Sequence, residues 1–115
     1  MAITVVVLPD EGNVDLGPIP VSVVDITGDT SYPTGGYTAA LGLTAANLFC
    51  GRGINGLSWI GGNTASLGTV PFYNTTTGNL QILVTGSGSG VALAELANAT
   101  NVSTFTWRFL VIGQR

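Results

Sequence analysis

The ionisable side chains of this 115-residue chain are few. There are six carboxylates, at Asp10, Glu11, Asp15, Asp25, Asp29 and Glu95, three arginines, at Arg52, Arg108 and Arg115, and one thiol, at Cys50. Histidine and lysine are absent. The commonest general base and the amine nucleophile are therefore both missing. Serine–histidine triads and histidine-based metal sites are excluded outright. A carboxylate pair is the one acid–base arrangement that the inventory still permits, as in glycosidases. Its members are badly placed for it. Asp10, Glu11 and Asp15 crowd a turn-rich stretch that reads as solvated loop, Asp25 alternates out of a strand, and Asp29 opens a Gly-Asp-Thr turn, where it is expected to bond nearby backbone N–H groups. No enzyme activity is expected.

Three further motifs are formal. Asp10, Glu11, Asn13 and Asp15 resemble a broken loop of oxygen donors, but they lack the 12-residue spacing and terminal bidentate Glu of an EF-hand. Residues 51–56, GRGING, spell the dinucleotide fingerprint G-x-G-x-x-G. That motif needs a helix opening at its end and an acid about 20 residues on. Here LSWIGGN follows, and no acid lies between Asp29 and Glu95. Three N-x-[ST] triplets, at Asn74, Asn98 and Asn101, place their asparagines where turns want them. One cysteine excludes an internal disulfide and a cysteine metal cage; after Leu48-Phe49 it reads as a small buried hydrophobe. No metal or cofactor is expected.

The elements that would carry these residues are short. Glycine and proline together number 22 and punctuate runs rich in Val, Ile, Thr and aromatics, the pattern of an all-β domain. Strands are expected at Ile3–Leu8, Val21–Thr27, Thr44–Cys50, Leu57–Ile60, Gly68–Tyr73, Leu80–Thr85 and Ser103–Ile112. Val91–Asn98 reads as strand or irregular rather than helix. The runs around Asn74–Asn79 form a hairpin with a glycine-containing loop. In the last strand Phe105, Trp107, Phe109 and Val111 share one face, with Thr104, Thr106 and Arg108 on the other, so one face packs into a core. Seven or eight short strands over residues 1–115 imply a single antiparallel β-sandwich or jelly-roll-like barrel.

Bulk composition narrows the partners. Only nine residues are charged, 45% are hydrophobic and the formal net charge is −3, against about a quarter charged in an ordinary soluble domain. Scattered arginines on an acidic chain argue against nucleic acid. No apolar run approaches the roughly 20 residues of a spanning helix, and MAITVVVLPDEG lacks the basic region of a secretory signal. The chain is expected to cover apolar surface with copies of itself or with a partner. The run Ile3, Val5, Val7, apolar on both faces, is a candidate for strand addition to a neighbour, with residues 1–20 as an arm. GDTSYPTGGY, residues 28–37, carries Tyr32 and Tyr37 in a segment that forms no regular element. Pro33 fixes φ there, and Gly35-Gly36 permit a tight reversal. The two rings either cap this chain's own core or meet another subunit.

The order GDTSYPTGGY, Leu-Gly-Leu at 41–43, VPFYNTTTGNLQ at 70–81 and STFTWRFLVIG at 103–113 resembles a group of small β-rich structural proteins of tailed bacteriophages. The resemblance implies a virion component: a capsid decoration or cement protein on the outer capsid surface, assembled in the host cytoplasm. It further implies contact with the major capsid protein and a homo-oligomer, trimeric for preference. The alternative is a carbohydrate- or receptor-binding sandwich of a head fibre or tail, for which Trp59 and Tyr73 are the aromatics to inspect.

Overall fold

A computed structural model of the chain describes residues 3–7, 14–16, 19–48, 52–85 and 93–114, with the side chains of residues 14–16 and Ile19 excepted. Eight strands carry the fold: β1 (Thr4–Val7), β2 (Val14–Leu16), β3 (Ile19–Thr27), β4 (Gly53–Gly62), β5 (Thr69–Asn74), β6 (Asn79–Val84), β7 (Ala94–Glu95) and β8 (Thr106–Gln114). A five-stranded sheet runs β1-β3-β8-β4, with β2 sharing β3's outer edge, and a three-stranded sheet runs β5-β6-β7. Every pairing is antiparallel. The two sheets pack as an all-β sandwich around one cluster of buried side chains.

Alternation puts the core where it is. Along β3, Ser22, Val24 and Ile26 are buried while their neighbours are half-exposed. Along β8, Trp107, Phe109 and Val111 are buried. Antiparallel register pairs Ile26 with Trp107, Val24 with Phe109 and Ser22 with Val111, so both inward sets fall on one face. The buried polar groups are satisfied. Ser22 Oγ donates to the Leu48 carbonyl at 2.7 Å. Trp107 Nε1 donates to Thr69 Oγ1 at 2.9 Å, which bonds β8 of one sheet to β5 of the other.

Two expected elements differ. Thr44–Cys50 is not a strand: a 3-10 turn at Ala39–Leu41 is followed by a four-residue helix, Ala45–Leu48. Thr44 Oγ1 accepts the Asn47 N–H at 3.1 Å and the Thr44 carbonyl accepts the Leu48 N–H. A capping threonine before two alanines favours that turn of helix over an extended run. Phe49, Cys50 and Gly51 lie outside the described residues. In the described part of GRGING no helix begins: Arg52 lies in a turn and Gly53 opens the ten-residue strand β4. Ala94–Glu95 is a two-residue strand within the segment read as strand or irregular. The hairpin of β5 and β6 turns at Gly78, whose φ is +76.

The N-terminal run belongs to the chain's own sheet. Thr4–Val7 pairs with Val24–Thr27. Ile3 is buried, and Val5 and Val7 pack against the core. The segment is thus a strand of this chain rather than a free arm, and β1 is an outer strand of the sheet; among its described apolar residues Val6 stands clear, 52% exposed.

Candidate functional site

The loop of residues 28–37 works as a seal. Strand β6 would otherwise show an unpaired edge opposite β5, and buried backbone groups need partners. Strand β7 covers only Leu83 and Val84. Beyond it the Leu96 N–H reaches the Ile82 carbonyl at 2.8 Å, and the Ile82 N–H donates to the Tyr32 phenol oxygen at 3.0 Å. A side-chain oxygen thus stands in for a strand carbonyl. One step further, Tyr37 and Leu80 exchange backbone hydrogen bonds at 2.8 and 2.9 Å.

Both rings are fully buried and meet edge to face, centroids 5.6 Å apart at 87°, the geometry aromatic quadrupoles favour. Their hydroxyls are tied down. Tyr32 donates to Glu95 Oε2 at 2.7 Å, and the same oxygen accepts the Gly35 N–H at 2.8 Å. Tyr37 donates to Asp29 Oδ1 at 3.0 Å, and that oxygen also accepts the Ser31 N–H. Tyr32 and Tyr37 are thereby corrected as subunit contacts: no ring surface is left to offer. Pro33 beside them is half-buried.

Burial pushes both phenols above their ordinary value of about 10, and the neighbouring carboxylates, Glu95 for Tyr32 and Asp29 for Tyr37, push the same way. The folded state therefore holds these protons more tightly than the unfolded chain does. That stability is present in full below the ordinary tyrosine value and declines as pH rises above it. In an alkaline titration the tyrosinate absorbance of Tyr32 and Tyr37 is expected to appear only together with loss of the β-sheet circular dichroism. Early ionisation of all three tyrosines in a still-folded protein would contradict the seal.

What remains open is the outside of the sheets. Register places four rows across the outer face of β3 and β8: Val21 beside Ile112, Val23 beside Leu110, Asp25 beside Arg108, and Thr27 beside Thr106. Strand β4 continues three of these rows with Gly56, Ser58 and Gly61, and β1 adds Val6 next to Asp25. Arg108 grips Asp25 with two bonds, Nε to Oδ1 at 2.7 Å and Nη2 to Oδ2 at 3.1 Å. The Thr27 and Thr106 hydroxyls bond at 2.8 Å. Apart from Thr4, Ser58 and the two glycines, the other described side chains in these rows are aliphatic. On the smaller sheet, Val70, Phe72 and Leu83 point away from the core, with Phe72 49% exposed. Exposed apolar surface grouped in this way is typical of contact surfaces.

Trp59 is 44% exposed on the edge strand β4, and its indole N–H folds back onto the Gly61 carbonyl at 2.9 Å. Ile60 and Gly61 line the shallow hollow beside it. Tyr73 sits on the other sheet, partly buried against the core, so the two aromatics named for a sugar groove do not line that hollow together. Among the described residues no group of three or more Cys, Asp or Glu is placed to hold a metal ion, and every buried side-chain nitrogen and oxygen has a partner. Asp10, Glu11 and Asn13 of the oxygen-donor stretch lie outside the described residues. The asparagines of the three triplets serve turns and loops: Asn74 Oδ1 accepts the Thr76 N–H, Asn98 Oδ1 the Thr34 N–H and Asn101 Oδ1 the Ser103 N–H.

The outward apolar residues that sequence reasoning did not single out are Val6, Val21, Val23, Ile60, Phe72, Leu110 and Ile112. Their signal is the same alternation that identifies the core, read for its other phase. No family model, curated protein or solved structure matches the chain.

Proposed function

We propose that the protein is a structural virion component of a tailed phage, which decorates and stabilises the capsid through contacts with the major capsid protein. The observation that carries this reading is the exposure of aliphatic and aromatic side chains on the outer faces of both sheets, in a chain with nine charges. A domain with two such faces can hold one partner on each and so bridge neighbouring subunits of a shell. The sealed loop supports the same reading, because a rigid sandwich loses little freedom when it docks. The phage assignment itself rests on the resemblance of the GDTSYPTGGY, VPFYNTTTGNLQ and STFTWRFLVIG segments. The outer capsid surface and a homo-oligomer belong to the same proposal; the resemblance favours three subunits, whereas the pairing of rows across the five-stranded sheet favours two.

The test is binding to tailed-phage heads assembled without a decoration protein. The purified chain is expected to co-sediment with them to a saturable stoichiometry. It is expected to stay bound in high salt, since apolar contacts are not screened as ion pairs are. Failure to bind heads, combined with Trp59-dependent retention on immobilised glycans, would replace this reading with the sugar-binding one.

A further inference from the structure

We infer that the outer face of the five-stranded sheet is a contact between two copies of this chain, joined about a two-fold axis that runs between β3 and β8. The inference rests on the docking reading and specifies the occupant of one of its two surfaces. An isologous contact must be self-complementary, and here the complementarity can be read row by row. An axis in the plane of the contact, parallel to the strands and midway between β3 and β8, lays each β3 on the partner's β8. Residues that are neighbours within one sheet then face each other across the interface: Val21 and Ile112, Val23 and Leu110, Asp25 and Arg108, Thr27 and Thr106. Three of these four rows match like with like, and the fourth matches opposite charges. Each Arg108 meets the partner copy's carboxylate while keeping its own, so the charges form a four-member network with no net charge. Aligned packing of two twisted sheets keeps the strand directions within about 30° of each other.

The same axis lays β1 of one copy on β4 of the other, and shape agrees with charge there. Val6 protrudes on β1, 52% exposed, in the row of Asp25. The matching position on β4 is Gly61, in the row of Arg108. A hollow of about 330 Å³ opens at that point, lined by Ile60, Gly61, Gly62, Thr106 and the Asp25–Arg108 pair. Both Gly61 and Gly56 stand at irregularities of the β4–β8 register, Trp59/Gly61 and Ile54/Gly56. A Cβ at Gly61 would meet no atom within 4 Å, and the same holds for Gly56 in the row of Ile112. The backbone at neither position needs the left-handed region. Glycine often marks such bulges, and with open space above both positions they leave a hollow that another molecule can fill. Val6 of the partner is the side chain the symmetry brings to it.

Four strands about 4.8 Å apart, over some seven residues at about 3.3 Å each, give a footprint of roughly 450 Å² per copy. That is at the small end for a specific interface, so association is expected to depend on concentration.

The experiment uses the full chain in analytical ultracentrifugation over a wide concentration range. The wild type is expected to associate into an even-numbered species. Asp25→Arg and Arg108→Asp each place like charges across the axis, and each alone is expected to weaken association by about tenfold or more. An equimolar mixture of the two variants is expected to associate again, because their faces are opposite in sign. An ion pair acting only within one chain would give no such rescue on mixing. In Gly61→Leu the Cβ enters open space and the side chain occupies the hollow, so the variant is expected to keep the melting temperature of the wild type and lose association. A wild type that stays monomeric at every concentration, a three-subunit species, a mixture that remains apart, or a Gly61→Leu protein that associates normally would each overturn the two-fold contact. The docking reading is tested separately. A chain that coats phage heads yet never pairs keeps that reading and removes this one, and a chain that pairs yet ignores heads does the reverse.

Discussion

Tyr32→Ala is expected to lower the unfolding free energy by about 3–5 kcal/mol, the range for deleting a fully buried aromatic ring. Domains of this size carry only about 5–15 kcal/mol in total, so the variant should sit close to its unfolding midpoint in water. Two losses combine. The ring leaves a cavity beside Tyr37, its edge-to-face partner. The phenol oxygen leaves the Ile82 N–H and the Glu95 carboxylate without their shared partner. Tyr32→Phe separates the two effects. It keeps the ring and removes the oxygen, and a buried donor left unsatisfied costs about 1–3 kcal/mol. Urea unfolding of both variants is the measurement. The Phe variant should fall between wild type and Ala, with an unchanged dependence on denaturant. If Tyr32→Phe matches the wild type, the phenol is not completing the β6 edge, and the account of the loop as a seal fails. If Tyr32→Ala costs less than about 1 kcal/mol, the ring is not a core residue.

What could be read from the chain follows the range of the interactions involved. Alternation in Phe105–Val111 assigns the core face of β8 because the period is a local property. The β5–β6 hairpin is equally local, a turn at Gly78 between two β-rich runs. The exchange of Thr44–Leu48 from strand to helix turned on one cap and on the bond from Ser22, 26 residues away. The loop's role was out of reach for the same reason. Its aromatics are visible in the sequence, but the groups they satisfy are Glu95, 63 residues on, and Ile82, 50 residues on. A reading confined to neighbouring residues sees large rings in a glycine-rich loop and has to leave open whether they pack at home or abroad. The outer faces were half legible. Asp25 alternating out of its strand is seen, whereas its pairing with Arg108, 83 residues away, depends on β3 and β8 being neighbours. The sorting of eight strands into sheets of five and three is likewise a long-range property.

Of the two glycines at the end of the loop, only the second lies with its α-carbon against another strand, and substitution should separate them sharply. Gly35 has φ of +89 and Gly36 of +95, so alanine strains the backbone at either position by about 1–2 kcal/mol. At Gly35 a Cβ would enter open space, and that strain is the whole expected cost. At Gly36 a Cβ would overlap the Leu80 carbonyl oxygen and lie 2.8 Å from its carbon. These are backbone atoms of β6 that cannot rotate aside. The carbonyl in question accepts the Tyr37 N–H, so relieving the overlap means parting the bridge that closes the β6 edge. Gly36→Ala is therefore expected to cost about 3 kcal/mol or more, combining strain with a broken seal. Gly35→Ala is expected to stay within about 2 kcal/mol. Amide hydrogen exchange at Tyr37 and Leu80 is the discriminating measurement, since both N–H groups lie in that bridge. In Gly36→Ala their protection should collapse while that of Val24 and Phe109, in the other sheet, falls only with global stability. Equal costs for the two variants, or intact protection at Tyr37 in Gly36→Ala, would mean that the loop rests on the sheet without closing it. The smaller sheet would then show an open edge at β6, and the burial of both tyrosines would need another cause.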